Sequence, residues 1–232
     1  MVLDPSQKEL LDQLNQGVDA LGLELSEAQI NQLLEYILEF QRWNKTHNLS
    51  AIHDLKDSVV LHLLDSLAVL PYLDKLLATR LQPGQIFSLA DLGAGGGLPG
   101  IPLAICRPHW QIHLMEAVQK KTVFLQHVVT KLHLDNAKVH AGRIEDTSKQ
   151  LNSSLSACIS RAFSDFGKFV TLSAPMLVPD GFVWAMKAKL LEEDLKTIPT
   201  GWTITQNYLL EVPTLKAERR LFELAPVREL HA

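Results

Sequence analysis

The sequence is poor in cysteine and has no long hydrophobic segment. Cys106 and Cys158 are the only cysteines among 232 residues, and neither stands in a C-x-x-C or Cys/His spacing that binds zinc. Two scattered thiols argue against a disulfide framework and fit a reducing compartment. Every apolar run is shorter than the ~20 residues that a helix needs to cross a bilayer, and the first residues do not resemble a signal peptide. We therefore expect a cytoplasmic protein with no membrane span and no metal.

The charge of the chain is small but unevenly distributed. The net charge is −4, with 21% charged and 47% hydrophobic residues, as in ordinary globular proteins. Residues 1–80 contain six basic and twelve acidic residues, a net of −6, whereas residues 81–232 contain sixteen basic and fourteen acidic residues, a net of +2. The overall charge therefore neither supports nor excludes a nucleic-acid partner, which would have to meet local basic clusters.

Two patterns of hydrophobic spacing divide the chain near residue 80. Residues 6–80 show the three- and four-residue spacing of helices, including one that begins after Ser26, with Gln29 completing a capping box, and extends to Phe40. A further helix is predicted from Asp57 to Leu70, where Pro71 would stop it. The polar and aromatic segment 42–50 has no clear period.

Beyond residue 80, short apolar strands alternate with helices, which indicates a parallel sheet with right-handed crossovers. We predict an N-terminal helical extension over residues 1–80 and a Rossmann-like α/β domain with a seven-stranded, mostly parallel sheet over residues 81–232. The predicted strands are residues 86–92, 112–116, 138–141, 157–160, 182–187, 204–212 and 220–224.

A glycine-rich turn follows the first predicted strand, in the segment D-L-G-A-G-G-G-L-P-G that begins at Asp91. Glycines let the backbone approach a ligand closely, and the next helix offers unpaired amides. The dinucleotide motif G-x-G-x-x-G matches only formally, because its first glycine, Gly95, would fall three residues beyond the strand. The register Asp91-x-Gly93-x-Gly95-x-Gly97 instead favours S-adenosylmethionine, whose ammonium group a carboxylate at Asp91 could hold.

Two further segments extend the predicted nucleoside site. Glu116 ends the second strand, where an acid can accept hydrogen bonds from both ribose hydroxyls. NAD would use the same acid, so Glu116 indicates a nucleoside without identifying it. Ile144 and Glu145 follow the third strand, where their backbone could read the adenine edge and Ile144 could pack on its face.

Four segments together resemble one known family: W-N-K-T-H-N-L (43–49), H-L-L-D-S-L (62–67), D-L-G-A-G-G-G-L-P-G-I-P-L-A-I (91–105) and I-S-R-A-F (159–163). They resemble the bacterial small-subunit ribosomal RNA guanine-N7 methyltransferases, also called glucose-inhibited division protein B. The resemblance implies a class I S-adenosylmethionine-dependent fold. It also implies methyl transfer to N7 of one guanine in the decoding-region loop of 16S rRNA, either free or in the small ribosomal subunit.

The resemblance also implies a set of cofactor-binding residues. They are Gly93, Leu98, Ile144, Glu145 and Arg161. Arg161 follows the fourth strand, where it could pair with the cofactor carboxylate or with an RNA phosphate, so we expect it to act as a positioning residue. Arg220 stands where the family commonly has histidine, which leaves its role open.

The expected chemistry needs no general base, because guanine N7 carries a free lone pair and loses no proton on methylation. Catalysis should then depend on in-line positioning. The Asn/Asp-Pro-Pro-Tyr/Phe motif of exocyclic-amine methylases is absent, and strand four runs instead into Ser160-Arg-Ala-Phe163. Cys158 has no Pro-Cys context and is predicted to be a small buried residue.

The RNA contacts are the least explicit part of the sequence. Phe163 and Trp184 are candidate stacking surfaces for the target base, although an aromatic residue near a sheet edge more often belongs to the core. Trp43 is favoured slightly as an anchor between helix and loop. His62 and Asp65, on one helical face, are predicted to be an interdomain hydrogen-bond pair rather than catalysts. The remaining RNA candidates combine donors and cations that suit phosphates and unstacked bases: Trp43, Asn44, Lys45, Asn48, Lys187, Lys189, Arg219 and Arg220.

We expect a monomer, and two alternative functions remain open at this stage. The same fold could methylate a small molecule or a protein, with the acidic helical extension as a lid. The chain could instead be a non-catalytic protein that senses the cofactor or assists ribosome assembly.

Overall fold

The computed structural model describes residues 4–161, 163 and 165–227. The helices are α1 (Pro5–Ala20), α2 (Glu27–His47), α3 (Leu55–Ser58), α4 (Asp65–Leu67), α5 (Leu70–Arg80), α6 (Gly100–Cys106), α7 (Gln119–Lys131), α8 (Ile144–Thr147), α9 (Phe166–Ser173) and α10 (Glu192–Thr197). The strands are β1 (Ser88–Leu92), β2 (Gln111–Glu116), β3 (Ala137–Ala141), β4 (Leu155–Ser160), β5 (Leu177–Lys187), β6 (Trp202–Leu209) and β7 (Arg220–Pro226). A π-helical segment covers Val59–Leu64, and 3₁₀ turns cover Ser148–Leu151 and Ala174–Met176.

Helix α2 is longer than the sequence pattern predicts. Ser26 and Gln29 form the expected capping box, but the helix continues to His47 instead of ending at Phe40. Its last turns bury Gln41 and Asn44. These two polar residues lie on the inward face of the helix, so the spacing of apolar residues could not reveal that the helix continues past Phe40.

The prediction that Pro71 stops a helix was wrong. Helix α5 begins at Leu70 and contains Pro71 in its first turn, where a missing amide hydrogen costs no hydrogen bond. The preceding helical stretch is also irregular, because α3 leads into the π-helical segment Val59–Leu64 and then into α4. This irregular stretch lies beside the candidate site described below.

The sheet has seven strands in the order β3-β2-β1-β4-β5-β7-β6. Strands β1 to β5 pair in parallel, and β7 pairs antiparallel with both β5 and β6. The predicted seven-stranded, mostly parallel sheet is therefore confirmed. The strand order reverses between β1 and β4, and ligands of open α/β sheets bind beyond the carboxyl ends of the strands at such a point.

The helical extension shares a hydrophobic core with one face of the sheet. A single cluster of buried side chains includes Leu14 and Leu34 from the extension together with Leu89 and Trp184 from the sheet. A second cluster, around Phe169, covers the other face. Because this core is continuous across residue 80, the packing does not mark a domain boundary there, and the predicted division into two domains stays a prediction. In the described part of the chain, no helix combines the length and hydrophobicity needed to span a membrane.

Candidate active site

The glycine-rich turn leaves the carboxyl end of β1 in a conformation that requires glycine. Gly93, Gly95 and Gly97 have φ angles of 70°, 60° and 96°, values that side chains with a Cβ rarely adopt. The amide of Gly93 donates to the carbonyl of Met115 in β2 at 3.0 Å, which ties the turn to the neighbouring strand. Leu98 is half-buried against the main core. The backbone on this loop can therefore approach a ligand closely.

Asp91 is completely buried at the end of β1 and has one unpaired oxygen. Its Oδ2 accepts a hydrogen bond of 2.8 Å from the amide of Gly100 at the start of α6. Among the described residues its Oδ1 has no hydrogen-bond partner. Burial raises the pKa of this carboxyl to about 7, against the lowering effects of the Gly100 amide and the Arg161 charge. A buried carboxyl oxygen without a partner fits the ammonium group of S-adenosylmethionine.

Glu116 connects the glycine turn to the end of β2. Its Oε2 accepts from the amide of Gly95 and its Oε1 from the amide of Val118, both at 2.8 Å. Each carboxylate oxygen can accept a second hydrogen bond, so the group can still receive ribose hydroxyls. The acid thus organises the loop, a role that the sequence pattern did not indicate, and it keeps acceptor capacity for the predicted nucleoside contact.

The predicted adenine segment lies along the same sheet edge. The amide of Gly142 donates to the carbonyl of Glu116 at 3.0 Å, which brings the end of β3 beside the end of β2. Helix α8 begins there with Ile144, half-buried against the second core cluster, and Glu145, which is exposed. The carboxylates of Asp91 and Glu116 and the backbone of the glycine turn therefore form a donor and acceptor set that fits S-adenosylmethionine.

Helix α2 supports the glycine turn from outside the sheet, a contact that sequence reasoning missed. The buried hydroxyl of Tyr36 donates a hydrogen bond of 2.7 Å to the carbonyl of Gly96. A Cβ atom on Gly96 would collide with the ring of Phe40, so a larger residue would fit there only if that ring moved. Only an indirect sign of this contact is present in the sequence: Gly96 is an additional glycine in the motif, and the predicted helix after Ser26 carries aromatic residues.

Arg161 lies just beyond β4 and is held by the helical extension. Its Nη1 donates to Oγ of Ser66 at 3.2 Å and its Nη2 to the carbonyl of Leu61 at 3.3 Å. Its Nη1 also lies 3.3 Å from Oδ2 of Asp65. The predicted positioning residue is thus itself positioned by the π-helical segment and α4.

Four of the predicted substrate residues, together with Arg161, line one cavity of about 430 Å³. The lining residues are Asp65, Arg161, Phe163, Met186, Lys187, Ala188, Leu210, Arg219 and Arg220. Phe163 stacks on Phe169, with ring centroids 5.2 Å apart. Nε of Arg219 donates to Oδ1 of Asp65 at 3.1 Å. The cavity therefore joins the end of β4, the end of β5 and the start of β7.

The structure excludes Trp184 as a stacking residue, whereas Lys187 remains a predicted RNA contact that already has an acidic partner. Trp184 is completely buried in β5, where its indole donates to Glu223 at 3.1 Å, so no base can stack on it. The ammonium of Lys187 is paired with Asp194, and both side chains are largely buried. Lys187 also lies over the ring of Phe166. A central strand buries these side chains, and the sequence pattern alone did not reveal their partners.

The RNA candidates at the end of α2 are of two kinds: some are buried and stabilise the local fold, and others are exposed. Asn44 is completely buried; its Nδ2 donates to the carbonyl of Ile52 at 2.9 Å and its Oδ1 accepts from the amide of Ser50 at 2.8 Å. Its prediction as an RNA contact was wrong, because it folds the loop after α2. Trp43 is half-buried; its indole donates to Glu39 of the same helix at 3.1 Å, and its ring contacts Phe124 and His127 of α7, so these contacts anchor α2 to α7 and not to the following loop.

The exposed candidates lie at the surface near these elements. Lys45 and Asn48 are exposed at the end of α2, and Lys189 is exposed after β5. Arg220 donates to Glu218 and to Asn207. These four residues remain predicted RNA contacts.

His62 and Asp65 were predicted to form a hydrogen-bond pair with each other, but in the described structure each has other partners. Nε2 of His62 lies 3.0 Å from Oγ of Ser50, and burial, followed by the charge of Arg161, lowers the pKa of His62 to about 4. Asp65 instead pairs with Arg161 and Arg219, which lie beyond the predicted domain boundary at residue 80. Cys158 is buried, as predicted. Within the described ranges, no three His, Cys, Asp or Glu side chains are grouped to hold a metal ion.

Comparisons with known proteins agree with this arrangement. The GidB family, described as rRNA small subunit methyltransferase G, matches residues 29–222. The Ribosomal RNA small subunit methyltransferase G of Polynucleobacter asymbioticus is 45% identical over 215 residues, which cover 92% of this chain and 95% of the relative. The protein of the same name from Burkholderia thailandensis is 39% identical over 221 residues, 94% of this chain and 93% of the relative.

A solved structure supports the fold separately. The O-methyltransferase from Bacillus cereus in complex with SAH matches with a TM-score of 0.52 and 14% identity, over 83% of this chain and 91% of that chain. Its identity is too low to carry more than the fold. The fold is the Rossmann-like class I fold of S-adenosylmethionine-dependent methyltransferases, and the family match over residues 29–222 together with 45% identity to a relative of nearly equal length shows that this chain belongs to the rRNA small subunit methyltransferase G family.

Proposed function

We propose that this protein transfers the methyl group of S-adenosylmethionine to N7 of one guanine in the decoding-region loop of 16S rRNA. Family membership supports an S-adenosylmethionine-dependent enzyme that acts on small-subunit rRNA. The observation that carries the proposal is the cavity lined by Arg161, Arg219 and Phe163, at the same carboxyl edge as the glycine turn. The choice of N7 and of the decoding-region loop is the finer part of the proposal.

The side chains around the cavity suit a reaction that removes no proton. Bound S-adenosylmethionine would supply an electrophilic methyl group, and Asp91 and Glu116 would hold its ammonium and ribose. Asp65 is the only acid among the described lining residues, and its two oxygens are already paired with arginines. Phe163 offers an apolar ring, and the guanidinium groups favour an RNA backbone. Catalysis then depends on placing N7 in line with the methyl group.

RNA binding is proposed for cations that surround the cavity or extend from α2. Arg219 and Arg220 line the cavity, and Lys189 and Lys45 are exposed. Contacts of these side chains with phosphate would set the register of the RNA but would not read its sequence. We also propose that the enzyme acts in the cytoplasm as a monomer, which light scattering of the purified protein would test.

The direct test is methylation of defined RNA. The purified protein would be incubated with methyl-labelled S-adenosylmethionine and either naked 16S rRNA or 30S subunits from cells that lack this protein. Mass spectrometry of nuclease fragments should find one 7-methylguanosine in the decoding-region loop. Label at another atom would refute N7, and no label in either RNA, with transfer to a small molecule or protein, would refute the RNA substrate.

A further inference from the structure

We propose that Asp65 is a positioning residue, which holds Arg161 and Arg219 at the cavity so that their guanidinium groups can engage the RNA and the reacting partners. The inference rests on the proposed function, because it concerns how the RNA substrate is received. It assigns to the helical extension a direct part in building the active site.

The geometry places one carboxylate between two arginines from distant parts of the chain. Oδ2 of Asp65 lies 3.3 Å from Nη1 of Arg161, and Oδ1 lies 3.1 Å from Nε of Arg219. The side chain of Asp65 is 4% exposed, whereas those of Arg161 and Arg219 are 25% and 28% exposed. The acid is therefore inside, and the two guanidinium groups face the cavity that all three residues line.

Arg161 has a second source of support on the same segment. Oγ of Ser66 and the carbonyl of Leu61 accept from its two terminal nitrogens. The π-helical segment that ends at Leu64 leads directly into Asp65 and Ser66. A planar guanidinium held at several points loses little further freedom when it binds a partner.

The charges at the cavity indicate what that partner is. Lys187 is neutralised by Asp194, and Arg220 by Glu218. Asp65 alone faces two cations, Arg161 and Arg219, so this group of three keeps one net positive charge. Partly buried guanidinium groups bind phosphate oxygens strongly and with defined geometry. The cavity therefore suits a phosphate of the RNA next to the target base.

The alternative role for Asp65 is only to fasten the extension to the sheet. Buried ion pairs often contribute little net stability, because desolvation offsets their attraction. If Asp65 only stabilised the packing of the extension, its loss would lower the melting temperature. Its effects on kcat and on RNA affinity would then not depend on whether Arg161 or Arg219 is present. A positioning role instead predicts that the effects of Asp65 and of each arginine are not additive.

The test uses the full-length protein and a double-mutant cycle. Asp65→Asn should reduce kcat at saturating RNA and cofactor about tenfold or more, and should weaken RNA binding, measured without cofactor, by roughly three- to tenfold. In the Arg161→Ala background the same change should not lower kcat further. In the Arg219→Ala background it should not weaken RNA binding further. Arg220→Ala, by contrast, should add to Asp65→Asn.

Two additional variants keep the result interpretable. Asp74→Asn removes the acid of another Asp–Arg pair, with Arg107, and should leave kcat and RNA affinity unchanged. If Asp65→Asn does not fold, Asp65→Glu keeps the charge but displaces it, and should show the same non-additivity with smaller losses. Additive effects throughout, or wild-type kcat and RNA affinity in both variants, would overturn the proposal. Failure of the wild type to methylate RNA would refute the proposed function, while the RNA-binding cycle would still decide on Asp65.

Discussion

The hydroxyl of Tyr36 donates a 2.7 Å hydrogen bond to the carbonyl of Gly96, across 60 residues of sequence. The bond is buried and joins helix α2 to the glycine turn. One helical turn later, the ring of Phe40 fills the space where a Cβ atom of Gly96 would lie. Helix α2 therefore supports the glycine turn directly, and the helical extension contributes to the structure of the candidate site.

Removing the Tyr36 hydroxyl should weaken both the fold and the cofactor site. Tyr36→Phe leaves the carbonyl of Gly96 without its buried donor, which should lower the free energy of unfolding by about 1 to 2 kcal/mol. Affinity for S-adenosylhomocysteine in calorimetry should also fall, by roughly three- to tenfold. Tyr72→Phe is the matched control, because its hydroxyl donates to the carbonyl of Leu209 away from the loop. Equal cofactor affinity in both variants would contradict the role of Tyr36.

A methyl group on Gly96 should distort the glycine turn. In Gly96→Ala the new Cβ would collide with Phe40, whose ring is held by contacts with Phe124 and His62. We expect affinity for S-adenosylhomocysteine to fall about tenfold or more. The double variant Gly96→Ala with Phe40→Leu should regain part of it, because the smaller side chain leaves room. Full affinity in Gly96→Ala, measured by calorimetry, would count against this contact.

Cofactor affinity should depend on pH through Asp91. Burial raises the pKa of this carboxyl to about 7, so the ionised form that pairs with the cofactor ammonium grows as pH rises. Calorimetric affinity for S-adenosylhomocysteine should increase up to ~tenfold between about pH 6 and 8. Asp91→Asn should bind more weakly and without that dependence. A wild-type profile as flat as that of the variant would remove Asp91 from the ammonium site.

The same group has the opposite effect on stability. Because its pKa is higher in the folded protein than the ordinary value of 3.8, the folded state binds the proton more tightly. The contribution of Asp91 to the free energy of unfolding should therefore be largest below about pH 4 and decline as pH rises towards 7. Urea unfolding of the wild type and of Asp91→Asn across this range isolates that contribution as a difference.

Lys187 and Lys189 offer a paired test of RNA contact. Lys187→Ala leaves Asp194 buried without its cation, which should cost about 3 to 5 kcal/mol of stability without changing the salt dependence of RNA binding. Lys189→Ala removes an exposed charge, so stability should change by about 0.5 kcal/mol or less. The log–log salt slope of RNA affinity should become shallower by up to about one unit. The reverse pattern would mean that Lys187 reaches the RNA.

The methyl-transfer step should show no titrating base. At saturating cofactor and RNA, single-turnover rates should be nearly constant between about pH 7.5 and 9, since neutral N7 has no proton to lose. Rapid quenching with labelled cofactor measures this rate. A steep rise with pH would require a different target atom.

Some features of the site follow from neighbouring residues in the chain. The glycine turn, Asp91 before it and Glu116 after the next strand are local signals, since each occupies a fixed place in a strand–turn–helix unit. The alternation of strands and helices likewise predicted the parallel sheet, which the strand order confirms. Asn44 and Lys187 carry no such signal, because a polar residue can be buried only when distant partners satisfy it.

The sequence by itself determined the fold class, the glycine loop and the acids at the strand ends, because these depend on local conformational preference and on the period of apolar residues. Only the tertiary structure decided which polar residues face a substrate. Asp65, Arg161 and Arg219 are separated by 96 and 58 positions, and no spacing rule connects them. They meet because the helical extension packs on one face of the sheet and brings Asp65 to its carboxyl edge. That packing determines which charges are paired inside and which remain available at the cavity.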